Sequence, residues 1–187
     1  APDYKVNMLN MPLDYIDTTN VRIGCITFIF DDGITQDSEI YKAFMECGFA
    51  CGFALPTNIS QSDFERYREY YNNGFSILSH STDGNVFSDT TLTLSHAGDK
   101  FRQSRKTLEE KGFKISGWVT PSSQMNEIYI PSLESFYSYG YTQYYNDDTE
   151  ISPAYNTLSD RPCKLKRRYL GTSLETLKVV CNDAIDN

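Results

Sequence analysis

The chain has 187 residues, of which 40% are hydrophobic and 14% aromatic, and this composition supports one domain with a substantial core. Its formal net charge of -8 argues against nucleic acid and against an anionic membrane surface as partners. The 5 cysteines include no Cys-x-x-Cys pair, which argues against a zinc knuckle or a redox motif. We identify no transmembrane span in the sequence.

Strand-like and helix-like segments alternate along the chain. Predicted strands lie at 23–30, 49–55, 75–79, 113–119, 141–145 and 165–170. Predicted helices lie between them at 36–47, 62–74, 95–111, 131–139 and, after the last strand, 173–186. Gly48 and Gly140 are interpreted as the stop signals of the first and fourth helices, and Ser62 as the capping residue of the second. This alternation is typical of β/α units with right-handed crossovers around a parallel sheet or barrel.

The predicted domain organisation is simple. Residues 1–20 are expected to be an irregular lead-in, and residues 21–187 to form a single β/α domain. Because the predicted elements stop after a helix, we expect the barrel to lack its closing strand, with the first strand exposed on one side or covered by the lead-in. The one basic run comprises Lys164, Lys166, Arg167 and Arg168, and it is interpreted as a solvated strand edge.

The stretch Thr27–Gly33 carries the strongest functional signal. It is a hydrophobic strand that ends in the two carboxylates of Asp31 and Asp32, followed by a glycine suited to a tight turn. Adjacent aspartates are costly to bury, so we expect them at the rim where the carboxyl ends of parallel strands form active sites. An acidic turn that caps the next helix would give the same residues and remains an alternative.

A histidine follows the third predicted strand. His80 should therefore reach the same rim as Asp31 and Asp32. An aspartate and a histidine are ligands for zinc or another divalent metal, and a second aspartate beside them can act as a general base on the attacking water. A packed, hydrogen-bonded histidine is the alternative for His80. The other histidine, His96, is interpreted as a surface or capping residue.

These motifs and their spacing resemble a known family. The segment from Phe28 to Gly33, a following helix, and the segment from Gly74 to Ser81 resemble the polysaccharide deacetylases of carbohydrate esterase family 4, the nodulation-deacetylase homology domain. The resemblance continues through the junction Tyr139-Gly140-Tyr141 and fades at 1–20 and 146–163.

The resemblance implies a fold, an activity and a set of site residues. The fold is a distorted, incomplete (β/α)7-type barrel, and the activity is metal-dependent removal of N-acetyl groups from a polysaccharide or a cell-wall glycan such as peptidoglycan. By position, Asp31 matches the catalytic base, and Asp32 and His80 match two of the three metal ligands. Ser122 sits where the family supplies a backbone N–H to the oxyanion. The implied metal is zinc, with cobalt, nickel or manganese as alternatives, and the implied location is extracellular, on a cell or virion surface.

The sequence departs from the family's pattern in three places. The second motif, His-Ser/Thr-x-x-His, has Gly84 where its last histidine belongs. Asp83 and Asn85 flank this position, and we favour Asp83 as the third ligand because its carboxylate is a hard, charged donor. The arginine position of the third motif, Arg-x-Pro, is Val119, and the final Leu-x-His motif would fall beyond Asn187.

Three functions remain open at this stage. The first is a deacetylase, for which we assign Trp118 and Pro121 to substrate binding. The second is a non-catalytic glycan-binding module on a degenerate deacetylase fold, as in a cell-surface or phage tail protein. The third is a glycosidase that uses Asp31 and a distant carboxylate. Retention of both aspartates favours an enzyme, whereas the missing histidine and arginine favour the module.

Overall fold

The computed structural model describes residues 27–82, 87, 88, 90–122, 125–145, 156 and 159–168, and these fall within one compact unit, Thr27–Ser173. The predicted lead-in, the start of the predicted first strand and the predicted final helix lie outside the described residues. None of the helices in the described part of the chain combines the length and the apolar character that crossing a lipid bilayer requires.

Six strands form one sheet whose spatial order is their order in the chain. They are β1 Ile29–Asp31, β2 Gly52–Leu55, β3 Ser76–Ser79, β4 Gly117–Val119, β5 Tyr139–Tyr145 and β6 Leu165–Arg168. Every neighbouring pair is parallel. Because each strand pairs with the next one along the chain, the crossovers all return on the same side, and the sheet curves into an open half-barrel. The predicted distorted, incomplete (β/α) barrel is confirmed.

Helices connect the strands. They are α1 Asp37–Cys47, α2 Gln61–Asn72, α3 Leu94–Glu110 and α4 Ile130–Glu134, with 3-10 turns at Glu127–Tyr129 and Pro162–Lys164. The sequence predicted α1, α2 and α3 to within two residues at each end. The predicted stop signal at Gly48 is confirmed, because this residue has a φ of 72° and its N–H caps the end of α1.

Several boundary predictions are wrong. β2 and β4 begin three and four residues later than the predicted starts at 49 and 113. The cap of α2 is Ser60 and not Ser62, since the Ser60 hydroxyl accepts the hydrogen bond of the Asp63 N–H at 3.1 Å. The helix before β5 ends at Glu134, and Gly140, predicted to end it, lies inside the strand. Packing explains why a glycine occupies position 140, because a Cβ there would lie only 3.0 Å from the Leu133 side chain.

The sheet has two faces that differ in their packing. The face toward the helices contributes Phe53, Ile77 and Trp118 to the large core. The opposite face, called the inner face below, carries a smaller cluster of Ala54, Leu78 and Val119, packed against Ile29, Tyr139 and Tyr141. Since side chains alternate along a strand, Asp31 shares the inner face with Ile29.

Glycines keep the inner face closely packed. A Cβ at Gly52 would lie 2.8 Å from the Leu78 side chain, and one at Gly117 would overlap the ring of Tyr139. Both glycines therefore allow a large neighbouring side chain to lie directly over the backbone. Close packing fills this part of the inner face, and the candidate site residues lie at the carboxyl ends of the strands.

Candidate functional site

The carboxyl ends of three strands carry strained backbone. Asp32 after β1, Ser81 after β3 and Ser122 after β4 have φ values of 74°, 70° and 56°. These are the non-glycine residues with positive φ among the described residues. Left-handed conformations of this kind are costly and concentrate at functional sites, where they direct side chains or N–H groups toward a ligand. The three turns mark one rim of the half-barrel.

Asp32 and His80 meet at this rim. Their closest atoms are Asp32 Oδ1 and His80 Nε2, 3.4 Å apart, and the side chain of His80 is 6% exposed whereas that of Asp32 is 72% exposed. The hydrogen bond with His80 is the main reason that the pKa of Asp32 lies below its usual value. The carboxylate of Asp32 is therefore ionised, open to solvent and adjacent to the imidazole.

The orientation of His80 is fixed from β4. Its Nδ1 atom lies 2.9 Å from the carbonyl oxygen of Val119. A carbonyl only accepts hydrogen bonds, so Nδ1 carries a hydrogen. In the imidazolium Nε2 also carries one and donates it to Asp32, and in the neutral ring Nε2 has a free lone pair that can bind a metal. Metal-binding histidines commonly have this arrangement, in which a backbone carbonyl holds the nitrogen that does not bind the metal.

The spacing of these two donors fits a divalent metal. Two ligands at about 2.0–2.1 Å from a tetrahedral zinc ion are roughly 3.3 Å apart, close to the distance between Asp32 Oδ1 and His80 Nε2. Among the described residues there is no group of three potential ligands. The predicted third ligand, Asp83, lies outside the described residues, as do Gly84 and Asn85.

Asp31 lies on the inner face and pairs with an arginine. Its Oδ2 atom is in contact with Nη1 of Arg167, and its side chain is 27% exposed. Its Oδ1 atom is buried and has no hydrogen-bond partner within the described part of the chain. The two adjacent aspartates therefore have different surroundings, as their predicted division of roles requires.

Arg167 is a site residue that the sequence analysis missed. It belongs to the basic run interpreted as a solvated strand edge, but its side chain is only 16% exposed and it reaches across to Asp31 on β1. No local signal in the sequence indicates this contact, because it depends on which face of β6 meets β1. The contact with Asp31 places Arg167 on the inner face, and β5 carries an irregularity between Tyr141 and Gln143 where it pairs with β6.

The residues assigned to substrate binding have other positions. Trp118 is fully buried among the aromatic rings of the large core, and its indole N–H donates to the Thr120 hydroxyl at 3.1 Å. The structure therefore places Trp118 in the core and not on a glycan-binding surface. Pro121 is also buried, whereas Ser122, beside it, is exposed at the rim.

A buried carboxyl group supports the loop after Asp32. Asp37, at the start of α1, is fully buried and accepts a hydrogen bond from the Tyr67 hydroxyl at 2.5 Å. Burial is the main cause that raises the pKa of Asp37, and burial likewise raises the pKa of Tyr67. Arg66, next to Tyr67 on α2, donates to the carbonyl of Ile34 at 3.3 Å. The loop is thus attached to α2.

No family model matches the sequence, and no curated protein matches it either. Solved structures do match. A de-N-acetylase from Aggregatibacter actinomycetemcomitans superposes with a TM-score of 0.67 at 16% identity over 87% of this chain and 77% of that one. A deacetylase from Streptococcus pyogenes, solved in complex with acetate, gives 0.65 at 14% identity over 82% and 69%. This chain has the polysaccharide deacetylase fold.

The same deacetylase fold occurs in a protein without the activity. A carbohydrate esterase family 4 pseudoenzyme from Bacillus anthracis superposes with a TM-score of 0.58 at 10% identity over 87% of this chain and 61% of that one. A mutant of it with restored enzymatic activity gives 0.59 at 11%, and this chain spans 63% of its length. At such low identity these likenesses establish the fold alone.

Proposed function

We propose that this protein is a metal-dependent hydrolase that removes N-acetyl groups from a polysaccharide or cell-wall glycan. The observation that carries the proposal is the pairing of Asp32 Oδ1 with His80 Nε2 at 3.4 Å, with the imidazole held from behind by Val119. Asp31, beside this pair on the inner face, is the second carboxylate that a hydrolytic mechanism needs.

Each residue has a separate role in the proposed reaction. Asp32 and His80 hold the metal, and Asp83 is proposed as the third ligand. A bound divalent ion supplies Lewis acidity and makes the attacking water more acidic. Asp31 would accept a proton from the water that attacks the acetamide carbonyl, and would return it to the amine nitrogen as the C–N bond breaks, so that acetate and the free amine are released. The backbone N–H of Ser122 donates to the developing oxyanion.

The proposed substrate class follows from the fold and its neighbours. The similar structures include a de-N-acetylase and a deacetylase solved with acetate, the product of such a reaction. An N-acetylated glycan is also compatible with the net charge of -8, because an N-acetyl sugar offers no phosphate to repel. With such a substrate we propose an extracellular, cell-surface or virion-surface location and zinc, cobalt, nickel or manganese as the metal.

A non-catalytic glycan-binding module is the second candidate. Gly84 in place of the second histidine favours it, since glycine has no side chain to bind a metal. The pseudoenzyme among the similar structures is a precedent for this fold without activity. The two candidates differ in one property, because an enzyme requires stoichiometric metal and a binding module does not.

Acetate release tests the proposal. The purified protein is incubated with N-acetylglucosamine oligomers and with peptidoglycan fragments, after loading with zinc or cobalt, and acetate is quantified. We expect release that EDTA abolishes, that added metal restores, and that Asp31→Asn removes. Glycan binding without acetate release at any metal concentration would instead support the binding module. Neither binding nor release would contradict both candidates.

A further inference from the structure

A guanidinium from β6 lies at the end of β4. Nη2 of Arg167 donates to the carbonyl oxygen of Thr120 at 3.1 Å, while Nη1 contacts Oδ2 of Asp31. Thr120 directly follows Val119, the position at which the third motif of the deacetylases carries its arginine. The positive charge is therefore one residue from the expected position, although it belongs to a different strand.

Val119, at the position of the family's arginine, contributes to packing and to the orientation of His80. Val119 is fully buried and packs with Ala54 and Leu78 on the inner face, and its carbonyl accepts the hydrogen bond of His80. An arginine in its place would put a guanidinium into this apolar cluster. A cation at the end of β4 has to come from another element, and β6 is the strand whose inner-face side chain reaches it.

We infer that Arg167 is a positioning residue that orients the carboxylate of Asp31 and replaces, from β6, the arginine missing at Val119. The inference rests on the proposed function, because it assigns the orientation of Asp31 to hydrolysis. Arg167 and Asp31 lie 136 positions apart in the chain, so neither strand alone forms this arrangement.

The geometry explains how Arg167 acts. One oxygen of Asp31 is engaged by the guanidinium, and the other, Oδ1, has no hydrogen-bond partner among the described residues. Anchoring one oxygen fixes the side-chain rotamer and leaves the lone pairs of the buried Oδ1 for a proton of a water that enters the site. The planar guanidinium bridges a carboxylate and a carbonyl at once, which the single ammonium of lysine does not reproduce.

Kinetics of Arg167 variants test this role. In the zinc-loaded protein we expect Arg167→Ala to lower kcat by roughly 10- to 100-fold, because a misplaced base loses reaction geometry. KM should change by less than about threefold, and zinc binding should not weaken, because Arg167→Ala removes a positive charge that acts on Asp32 and would repel the metal ion. Added guanidinium ion should restore part of the turnover of Arg167→Ala, and Arg167→Lys should recover only part of it.

Arg161 offers a matched control. It lies shortly before β6 and pairs with Glu134 on the exposed surface, so Arg161→Ala should leave kcat unchanged. An unchanged kcat in Arg167→Ala, or no response to guanidinium, would overturn the inference. A faster Arg167→Ala would also overturn it, because the arginine would then be masking Asp31.

A second measurement separates this inference from the proposed function. Unfolding of the wild type, Arg167→Ala, Asp31→Asn and the double variant gives a double-mutant cycle that needs no activity. If the zinc-loaded wild type releases no acetate, the proposed function has failed. A roughly tenfold non-additivity in the unfolding equilibrium would still support the anchoring of Asp31 by Arg167, whereas additive effects would overturn it.

Discussion

Nε2 of His80 lies 3.4 Å from Oδ1 of Asp32, and the opposite ring nitrogen of His80 is held at 2.9 Å by the carbonyl of Val119. Three strands thus cooperate in one contact. β1 supplies the carboxylate, β3 supplies the imidazole, and β4 fixes the tautomer through its backbone. Because a main-chain carbonyl orients the ring, the arrangement does not depend on the side chain at 119.

Substitutions of the two adjacent aspartates should remove different properties, metal binding for Asp32 and turnover for Asp31. We expect Asp32→Ala and His80→Ala to lose zinc, because they remove the paired donors, whereas Asp31→Asn should keep zinc and lose turnover by about 10²- to 10⁴-fold. Zinc content measured by elemental analysis, together with acetate release, separates the two effects. Loss of zinc in Asp31→Asn would contradict the assignment of Asp31 as base.

Substitutions at positions 83, 84 and 85 test which residue is the third metal ligand. We expect Asp83→Ala to weaken zinc binding by at least roughly tenfold, and Asn85→Ala, as the matched control, to leave the affinity unchanged. Gly84→His should strengthen binding, because it adds an imidazole at the family's ligand position. Titration calorimetry with zinc measures all three, and an unchanged affinity in Asp83→Ala would show that Asp83 is not a ligand.

Trp118 should matter for stability and not for binding. Trp118→Phe removes part of a fully buried ring system and leaves the Thr120 hydroxyl without the indole donor, so we expect a loss of about 1–3 kcal/mol in the free energy of unfolding. Leu94→Ala, at an apolar residue that is 57% exposed, should change stability by less than about 0.5 kcal/mol. Urea unfolding measures the loss, and weaker glycan binding by an equally stable Trp118→Phe would contradict the core assignment.

Asp37 should make stability depend on pH. Burial raises its pKa above the usual 3.8, so between these two values the folded state binds more protons than the unfolded state. The contribution of Asp37 to the free energy of unfolding is therefore fully present below pH 3.8 and is lost as the pH rises through the raised pKa.

The prediction concerns the slope of stability against pH. Asp37→Asn cannot ionise, so its unfolding midpoint in urea should fall less between pH 4 and pH 8 than that of the wild type (roughly the span over which a raised carboxyl titrates). Asp99→Asn, which removes an exposed carboxylate on α3, should keep the wild-type slope. Equal slopes in the wild type and Asp37→Asn would contradict the buried-acid interpretation.

The sequence by itself determined the local features of this protein. Apolar runs ending in Asp31-Asp32 and in His80 predicted both strands and their shared rim, because strand burial and turn chemistry are encoded within a few neighbouring residues. The same local signals predicted α1 to α3 within two residues at each end. The boundaries of α4 and β5 were wrong, because Gly140 was interpreted as a helix end. Its lack of a side chain instead makes room for Leu133.

Only the tertiary structure decided which residues meet. Arg167 lies 136 positions from Asp31, and their contact depends on how far a six-stranded sheet curves between its edges. Trp118 was assigned to substrate binding, but the packing of β4 places its ring in the core and Val119 on the inner face. The direction in which a side chain points is set by pairing and packing with distant strands, and residues adjacent in sequence do not encode it.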